Sequence, residues 1–459
     1  MDFSRDRSFM GAENIPRLMA RFAAPALAGM LANALYNITD RIFVGQIVGP
    51  LGIAAIAVSF PCMLFFNCVA MLIGTGAASR VSILLGEGKK DGAERTFGSS
   101  VALALVLGAA LMVFGYLMFG RILLMSGASA AIYPMADEYL SCIITGTIFG
   151  IMSFSISYQI RACGSPSYAM GTQVVGAAAN IALDAVFVMV FGMGVRGAAI
   201  ATVISQGISL CWALAYFRLP NAGLRLRVGY VIKPDITSLG RIFAVGIPAS
   251  LVQLNFVFVH GMITNASSSY GGDIAVSATG ILMGLDSLLF MPAVALGEAC
   301  TPIVGYNYGA GNTERVVDTV KKGMMITTVF YMISFTVIML RAPALAKLFN
   351  SDDAELIRLT AVCMKFANAA IPVMSVSIIC TSLLQGLGMG RAGLALAFVR
   401  FGVFLWIPLL ILPRHYGIYG AWGSFPISDA AGSVVSAAVM IYTIRRLRKK
   451  TFLKDPPGR

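Results

Sequence analysis

The stretch GIAAIAVSFPCMLFFNCVAMLIGTGAAS, residues 52–79, runs for 28 residues without a charged side chain and is closed by Arg80. A helix of that length rises 1.5 Å per residue and outspans the roughly 30 Å hydrocarbon core of a bilayer. Working outward from it, similar runs broken by Gly, Pro and charge predict twelve helices. They lie at 16–43, 52–79, 94–119, 136–161, 168–191 and 197–218, then 240–265, 274–300, 314–340, 357–383, 392–412 and 418–443. The expected fold is an all-α polytopic membrane protein. Composition agrees, with 58% hydrophobic and 12% charged residues, where a soluble chain carries about 25% charged. A soluble enzyme, a disulfide-stapled secreted domain and a nucleic-acid module are excluded. The eight cysteines lie in or beside apolar runs and none forms a C-x-x-C pair, so reduced thiols are expected. The charged start reads into the first helix, so no cleavable signal is expected.

Charge follows the spans. The termini and the loops after the even-numbered helices hold 25 of the 34 basic residues, among them Arg80, Lys89, Lys90, Arg225, Arg227, Lys233, Lys321 and Arg445–Lys450. The opposite side holds seven: Arg41, Arg121, Arg196, Arg341, Lys347, Arg358 and Arg414. The positive-inside rule places both termini in the cytoplasm of a multi-pass protein of the cell (inner) membrane. The chain also repeats. Gly49, Gly74, Gly86, Gly88, Gly194 and Gly197 recur 223 residues on, as Gly272, Gly297, Gly309, Gly311, Gly417 and Gly420, where composition alone gives about three coincidences. Pro25 and Pro248 share the offset, and GEGKKDGAER (86–95) is echoed by GAGNTER (309–315). The expected organisation is an N-lobe over 1–218, a basic linker over 219–239 and a C-lobe over 240–459 with a basic tail. Six helices per repeat would relate the lobes by a pseudo-two-fold axis along the membrane normal, which describes a transporter better than an enzyme.

Ionisable groups inside a membrane cost at least ~2.5–3.5 kcal/mol on insertion scales, so each is a functional candidate. Five acids fall past the opening turns of predicted helices: Asp40, Asp184, Asp286, Glu298 and Asp429; Lys365 and Arg400 are the bases set beside them. Asn180 and Asp184 share a face of helix 5 with Gln173 and Ala177. Asp40 closes a similar stripe on helix 1 with Asn33, Tyr36 and Asn37. Both carboxylates come late in helices that run the same way, so they are expected to meet, to bind cation or substrate, and to exchange a proton or ligate Na⁺ with Asn180. The plainer readings are a local Asp40–Arg41 pair and an Asp184–Asn180 hydrogen bond. Asp286 and Asp429 are open to neutralisation by Arg400 or Lys365. Gln253, Met283 and Asp286 are candidates for lining a cleft, as are His260, Ser377, Thr381 and Gln385, although such polar residues often bond helix to helix. Pro25 removes a backbone hydrogen bond upstream of Asp40 and reads as a hinge or a static kink.

YNITDRIFVG (36–45), RACGSP (161–166), NIALD (180–184), PIVGYNYGAGNTERV (302–316) and PISD (426–429) occur in an order and spacing that resembles the multidrug and toxic compound extrusion (MATE) family over essentially the whole chain. The resemblance implies a cation-coupled antiporter, with H⁺ favoured over Na⁺, that exports organic cations and amphipathic compounds by alternating access. It places Asp40, Asn180 and Asp184 in an N-lobe coupling cluster. Helix 7 has no acid and helix 10 has none past its opening residues, so the C-lobe Na⁺ carboxylates of one branch are missing; Glu298 stands where relatives usually carry Gln. No cofactor beyond the coupling ion, no nucleic acid and a monomeric state are expected. A membrane-embedded enzyme is disfavoured because His260 and His415 are far apart. The alternative is a lipid-linked saccharide flippase of the same superfamily, which would line its cleft with Arg or Lys for pyrophosphate.

Overall fold

The computed structural model describes residues 9–126, 128–220, 222–347 and 353–454. The terminal stretches counted above with the basic loops, 1–8 and 455–459, lie outside them. Twelve long helices, and no strand, occur among the described residues. They are α1 (Ile15–Ile47), α2 (Pro50–Gly86), α3 (Lys90–Met125), α4 (Tyr133–Ala162), α5 (Pro166–Val190), α6 (Gly194–Tyr216), α7 (Ile236–Gly272), α8 (Ile274–Gly309), α9 (Thr313–Lys347), α10 (Ala354–Gly386), α11 (390–416) and α12 (418–454). All eight cysteines are free thiols. The helices run several residues past the predicted apolar cores because charged ends such as Lys90 and Lys347 continue the helical backbone beyond the apolar stretch.

The repeated glycines have repeated jobs. Gly49 and Gly272 (φ 89° and 65°), Gly88 and Gly311 (72° and 76°), and Gly194 and Gly417 (58° and 59°) turn the chain between consecutive helices. Only glycine adopts that half of backbone space without steric cost. Gly74 and Gly297 have a second role, since a Cβ on either would lie about 3 Å from α4 or α10 respectively. The offset in sequence is therefore an offset in structure.

The chain packs as two units. Ala24–Ser250 with the short helix Phe9–Ala12 forms the first, and Glu13–Ala23 with Leu251 onward forms the second. Each unit thus carries the opening turns of a helix whose remainder belongs to the other. The divisions fall beside Pro25 and Pro248, which withdraw a hydrogen bond from α1 and α7. Packing membership accordingly departs from the lobe limits expected at 218 and 240, because residues 219–250 are held by the first unit. Leu224 is fully buried there, the Arg225 N–H donates to Glu94 (3.2 Å), and Arg227 pairs with Glu94 at 2.8 Å. The Tyr230 hydroxyl donates to Asp91 (2.7 Å) and the Asp235 N–H to Ser99 (2.8 Å). Asp235 caps α7 by accepting from the Ser238 N–H and hydroxyl and the Thr237 N–H. These donors hold its carboxyl below the usual carboxylate range.

Lipid tails are as apolar as leucine, so outward residues such as Val106, Leu117, Leu340 and Val434 contribute little to cohesion. Cohesion comes instead from close packing and interhelical hydrogen bonds worth about 0.6 kcal/mol each. Examples are Gln159 donating to Ser100 (2.9 Å), Thr328 with Ser375 (2.7 Å), and Ser377 with Ser436 (3.1 Å). Ser377 thus serves helix packing, whereas the Thr381 hydroxyl donates within its own helix to the Ser377 carbonyl. A core around Trp422, whose indole N–H donates to Thr279 (3.1 Å), centres the second unit.

Candidate functional site

In the first unit a cavity of about 280 Å³ opens between α1, α2, α4, α5 and α6. Asn33, Tyr36 and Asn37 line it from α1, Gln173, Ala177 and Asn180 from α5, so the two predicted stripes do face one another. Gly29 permits the approach of α1 to α5, since a Cβ there would collide with the Gln173 side chain. Asn37 is tied to its own helix, donating to the Asn33 carbonyl at 2.7 Å. The far wall includes Thr202, Ser205, Gln206 and Ser209 of α6, at i, i+3, i+4 and i+7 on one helical face. Ser153, Ser157 and Thr147 of α4 and Asn67 of α2 complete the polar lining, with Met63, Phe66, Ile143 and Phe154 between them.

Beside this cavity Asp40 and Asp184 are buried and within electrostatic reach of each other, with Tyr36 and Tyr139 close to both. Asp184 is 0% exposed, and neither of its carboxylate oxygens has a hydrogen-bond partner in the protein. The Asn180 Oδ1 and one Asp40 oxygen are similarly unpartnered. Asn180 spends its amide on Thr202 (3.4 Å), not on Asp184, and Asp40 makes no salt bridge with Arg41, although it senses that charge. The plainer readings of both acids therefore do not describe the geometry. Buried oxygens without donors are costly. Two carboxylates, an amide oxygen and a hydroxyl form a hard-oxygen set suited to a proton or an alkali cation. α5 passes from α-helix to π-helix at this point, over Ala185–Val190, a distortion frequent at functional sites.

The other candidates separate. Pro25 lies inside α1, which continues through it. Gln253 is half-buried on α7 and Met283 packs against the Trp422 core, so neither reaches this cavity. Asp286 accepts from Asn368 (3.1 Å) and Asp429 from Arg400 (3.3 Å). Arg400 is thus engaged by a carboxylate, and Lys365 neutralises neither acid. His260 is exposed beside Phe256. Sequence reading missed Tyr139, Thr202, Ser205 and Gln206; the 3–4 spacing on α6 was the available signal.

The MatE family model matches residues 25–186 and 248–411, two segments that begin at the paired prolines and are themselves 223 residues apart. Relatives include the multidrug export protein MepA of Staphylococcus haemolyticus, 26% identical over 434 residues and 94% of both chains. The MepA of Staphylococcus aureus is 25% identical over 431 residues, again 94% of both. Among solved structures, a MATE in a bent conformation superposes with a TM-score of 0.91 at 24% identity, covering 98% of this chain and 99% of that one. An outward-facing multidrug resistance MATE transporter of the MOP superfamily gives 0.89 at 23%, covering 97% and 99%. Twelve helices, a duplicated plan and a match to the family model over both repeats carry one conclusion: the chain belongs to the MATE family of membrane transporters.

Proposed function

We propose that this protein is a cation-coupled exporter of organic cations and other amphipathic compounds, with the Asp40–Asp184 pair as its coupling site and H⁺ as the favoured ion. The observation that carries the reading is the Asp184 carboxylate, buried with both oxygens lacking a donor beside a second acid. A proton or a Na⁺ relieves that uncompensated charge, and so does a cationic cargo in the adjoining cavity. Ligands that satisfy the same negative charge exclude one another, and that competition is the thermodynamic basis of antiport. At about 280 Å³ the cavity lies near the lower end of small-molecule sites, roughly 300–1,000 Å³, and its mixture of hydroxyls, amides, Phe66 and Phe154 suits a small amphipath. The MepA relatives, described as multidrug exporters, support this substrate class. The basic loops orient the chain with both termini in the cytoplasm of the cell membrane, so the acids, late in α1 and α5, take their ion from outside. Pro25 supplies a bending point between the two parts of α1 that belong to different units.

The test uses proteoliposomes loaded with a fluorescent organic cation, driven by a pH gradient and separately by a Na⁺ gradient. The native chain moves dye under the pH gradient, and Asp184→Asn falls to the level of protein-free vesicles. Transport driven by Na⁺ alone removes the proton from the proposal; no transport by folded native protein under either gradient overturns it.

A further inference from the structure

Two arginines meet at the basic-loop end of the first unit without an acid between them. α2 and α7 cross there as an antiparallel pair: a Cβ on Gly76 would lie 2.9 Å from the Ile242 carbonyl carbon, and one on Gly246 would lie 2.8 Å from that of Leu72. Arg80 stands one helical turn beyond Gly76, and Arg241 immediately precedes Ile242, so the crossing brings both to one level. Each lies within electrostatic reach of the other. The Arg80 Nε is buried without a hydrogen-bond partner, and among the described residues neither guanidinium forms an ion pair. The acids that Arg80 senses are Glu87 and Asp235, and both are engaged elsewhere. Lys89 pairs with Glu87 at 2.9 Å, while Asp235 accepts from the Ser238 hydroxyl at 2.6 Å and from the Ser238 N–H at 2.9 Å. Two cations side by side, one of them half-buried, repel each other until an anion joins them.

The same end presents apolar surface that the first unit leaves uncovered. The strap between α6 and α7 is fixed along one side, where Leu224 is buried and Tyr230 backs onto α3 so closely that a Cβ on Gly98 would lie 2.5 Å from its own. The opposite side carries Val228 and Ile232 of the short helix Val228–Ile232, and Ile236 at the start of α7, exposed to 67%, 71% and 84%. Arg225, Arg227 and Lys233, all exposed, are interleaved with them. A strap pinned by its other face cannot turn these aliphatic side chains inward. It joins two membrane-spanning helices and so lies near the headgroups, and mixed basic and aliphatic residues are the composition of segments that rest in that boundary. Beyond Arg241, Ala244 and Ile247 are also exposed and lead along α7 into the span, which gives an acyl chain an apolar path.

We propose that the first unit binds an anionic phospholipid of the adjoining leaflet, its phosphate held between Arg80 and Arg241 and its apolar boundary receiving Ile232 and Ile236. Each guanidinium offers paired N–H donors that match phosphate oxygens, a geometry an ammonium does not supply. A headgroup with net negative charge is selected, because a zwitterionic one brings its own cation to a place that already holds two. The bound lipid bridges α2 and the start of α7 at the crossing fixed by Gly76 and Gly246. The site stands on the unanswered arginines and the exposed aliphatic residues, and it does not rest on the export role or on the coupling pair.

The test titrates the purified full-length protein in detergent with phosphatidylglycerol or phosphatidylcholine and counts bound lipid by native mass spectrometry. The native chain is expected to prefer phosphatidylglycerol by about tenfold. Arg80→Gln and Arg241→Gln should each remove about that factor, and Arg80→Lys, which keeps the charge and loses the paired donors, should recover only part of it. Arg241 is exposed, so its variant keeps the test open should a change at Arg80 disturb folding. Ile236→Ser should weaken both lipids alike, since it touches only the apolar boundary. Lys321→Gln, at an exposed cation of the second unit, should change neither. The proposal is overturned if the native chain binds both lipids equally, if Arg241→Gln leaves the preference intact, or if Lys321→Gln reduces it as much. Displacement of the lipid by an equal concentration of glycerol 3-phosphate overturns it as well, and assigns the arginines to a free phosphate ester. No gradient enters these measurements, so a failure of the export reading leaves their outcome unchanged.

Discussion

The attachment of the start of α7 to the first unit depends on two glycines, and replacing Gly246 tests it directly. A Cβ at Gly246 would stand 2.8 Å from the Leu72 carbonyl carbon and closer still to its oxygen; one at Gly76 would stand 2.9 Å from the Ile242 carbonyl carbon. Carbon atoms pack best at about 3.5–4.0 Å, so the helices must separate by roughly 1 Å, and backbone cannot rotate away as a side chain does. Overpacking of this kind costs about 1–3 kcal/mol. The better helix propensity of alanine returns up to about 1 kcal/mol, which leaves a net loss of about 1–2 kcal/mol. For a unit of this size that lowers the unfolding midpoint by about 2–8 °C. Gly240→Ala is the internal control, since nothing lies within 4 Å of its Cβ on the same helix; its midpoint should hold or rise. The assay is thermal unfolding of purified protein in one detergent, followed by size-exclusion fluorescence. Equal midpoints for Gly246→Ala and Gly240→Ala would refute the claim that a backbone crossing fixes α7 to α2.

Two further outcomes follow from the same geometry. Asp235→Ala removes the cap of α7 and should cost about 1 kcal/mol at neutral pH. Its carboxyl titrates below the usual range, so its contribution is complete above the unfolded value near 3.9 and fades as pH falls through the lower folded value; the midpoints of variant and native protein should converge below about pH 4. Gly272→Ala and Gly49→Ala meet no atoms within 4 Å, yet their φ and ψ (65°, −165° and 89°, −166°) lie where side chains are strained. Each should cost about 1–3 kcal/mol, against no loss for Gly284→Ala, whose surroundings are equally open; matching stabilities would contradict the turn geometry.

The helices and the repeat were legible because both rest on local rules. Apolar length gives a span whatever surrounds it, and a turn glycine such as Gly417 is required by its own backbone. The stripes Asn33–Tyr36–Asn37 and Asn180–Asp184 were legible for the same reason, as helical periodicity fixes which side chains share a face. Tyr139 and the α6 hydroxyls were not, because serine, threonine and tyrosine occur throughout membrane helices and only packing shows which ones face an acid. The departures from α-geometry were also hidden. Pro372 hinted at the break in α10, but nothing in AVFVMV or FVRFGVFLW marks a π-helix. The division at Ala23/Ala24 depends on long-range contacts that no local pattern encodes; Pro25 marks only where the helix is weakest.

Set against one another, the two halves show which features of a duplicated chain are scaffold and which are chemistry. The turn glycines and the prolines of α1 and α7 are retained at constant offset, while the charges are not. Asp40 corresponds to Ile263 and Asp184 to Ile407; Asp286 and Asp429 correspond to Met63 and Gln206. Each half carries acids where the other half has none. A static arrangement would gain stability by losing them all, since apolar replacements of buried charge are often neutral or stabilising. The Asp184 carboxylate, buried with neither oxygen accepting a hydrogen bond, is therefore the group whose replacement tests the coupling role proposed above most directly. Restoring symmetry is the sharpest form of that test: Asp184→Ile, which installs the residue found at the equivalent position 407, should keep the fold and abolish gradient-driven transport, and transport at the native level would refute the coupling role.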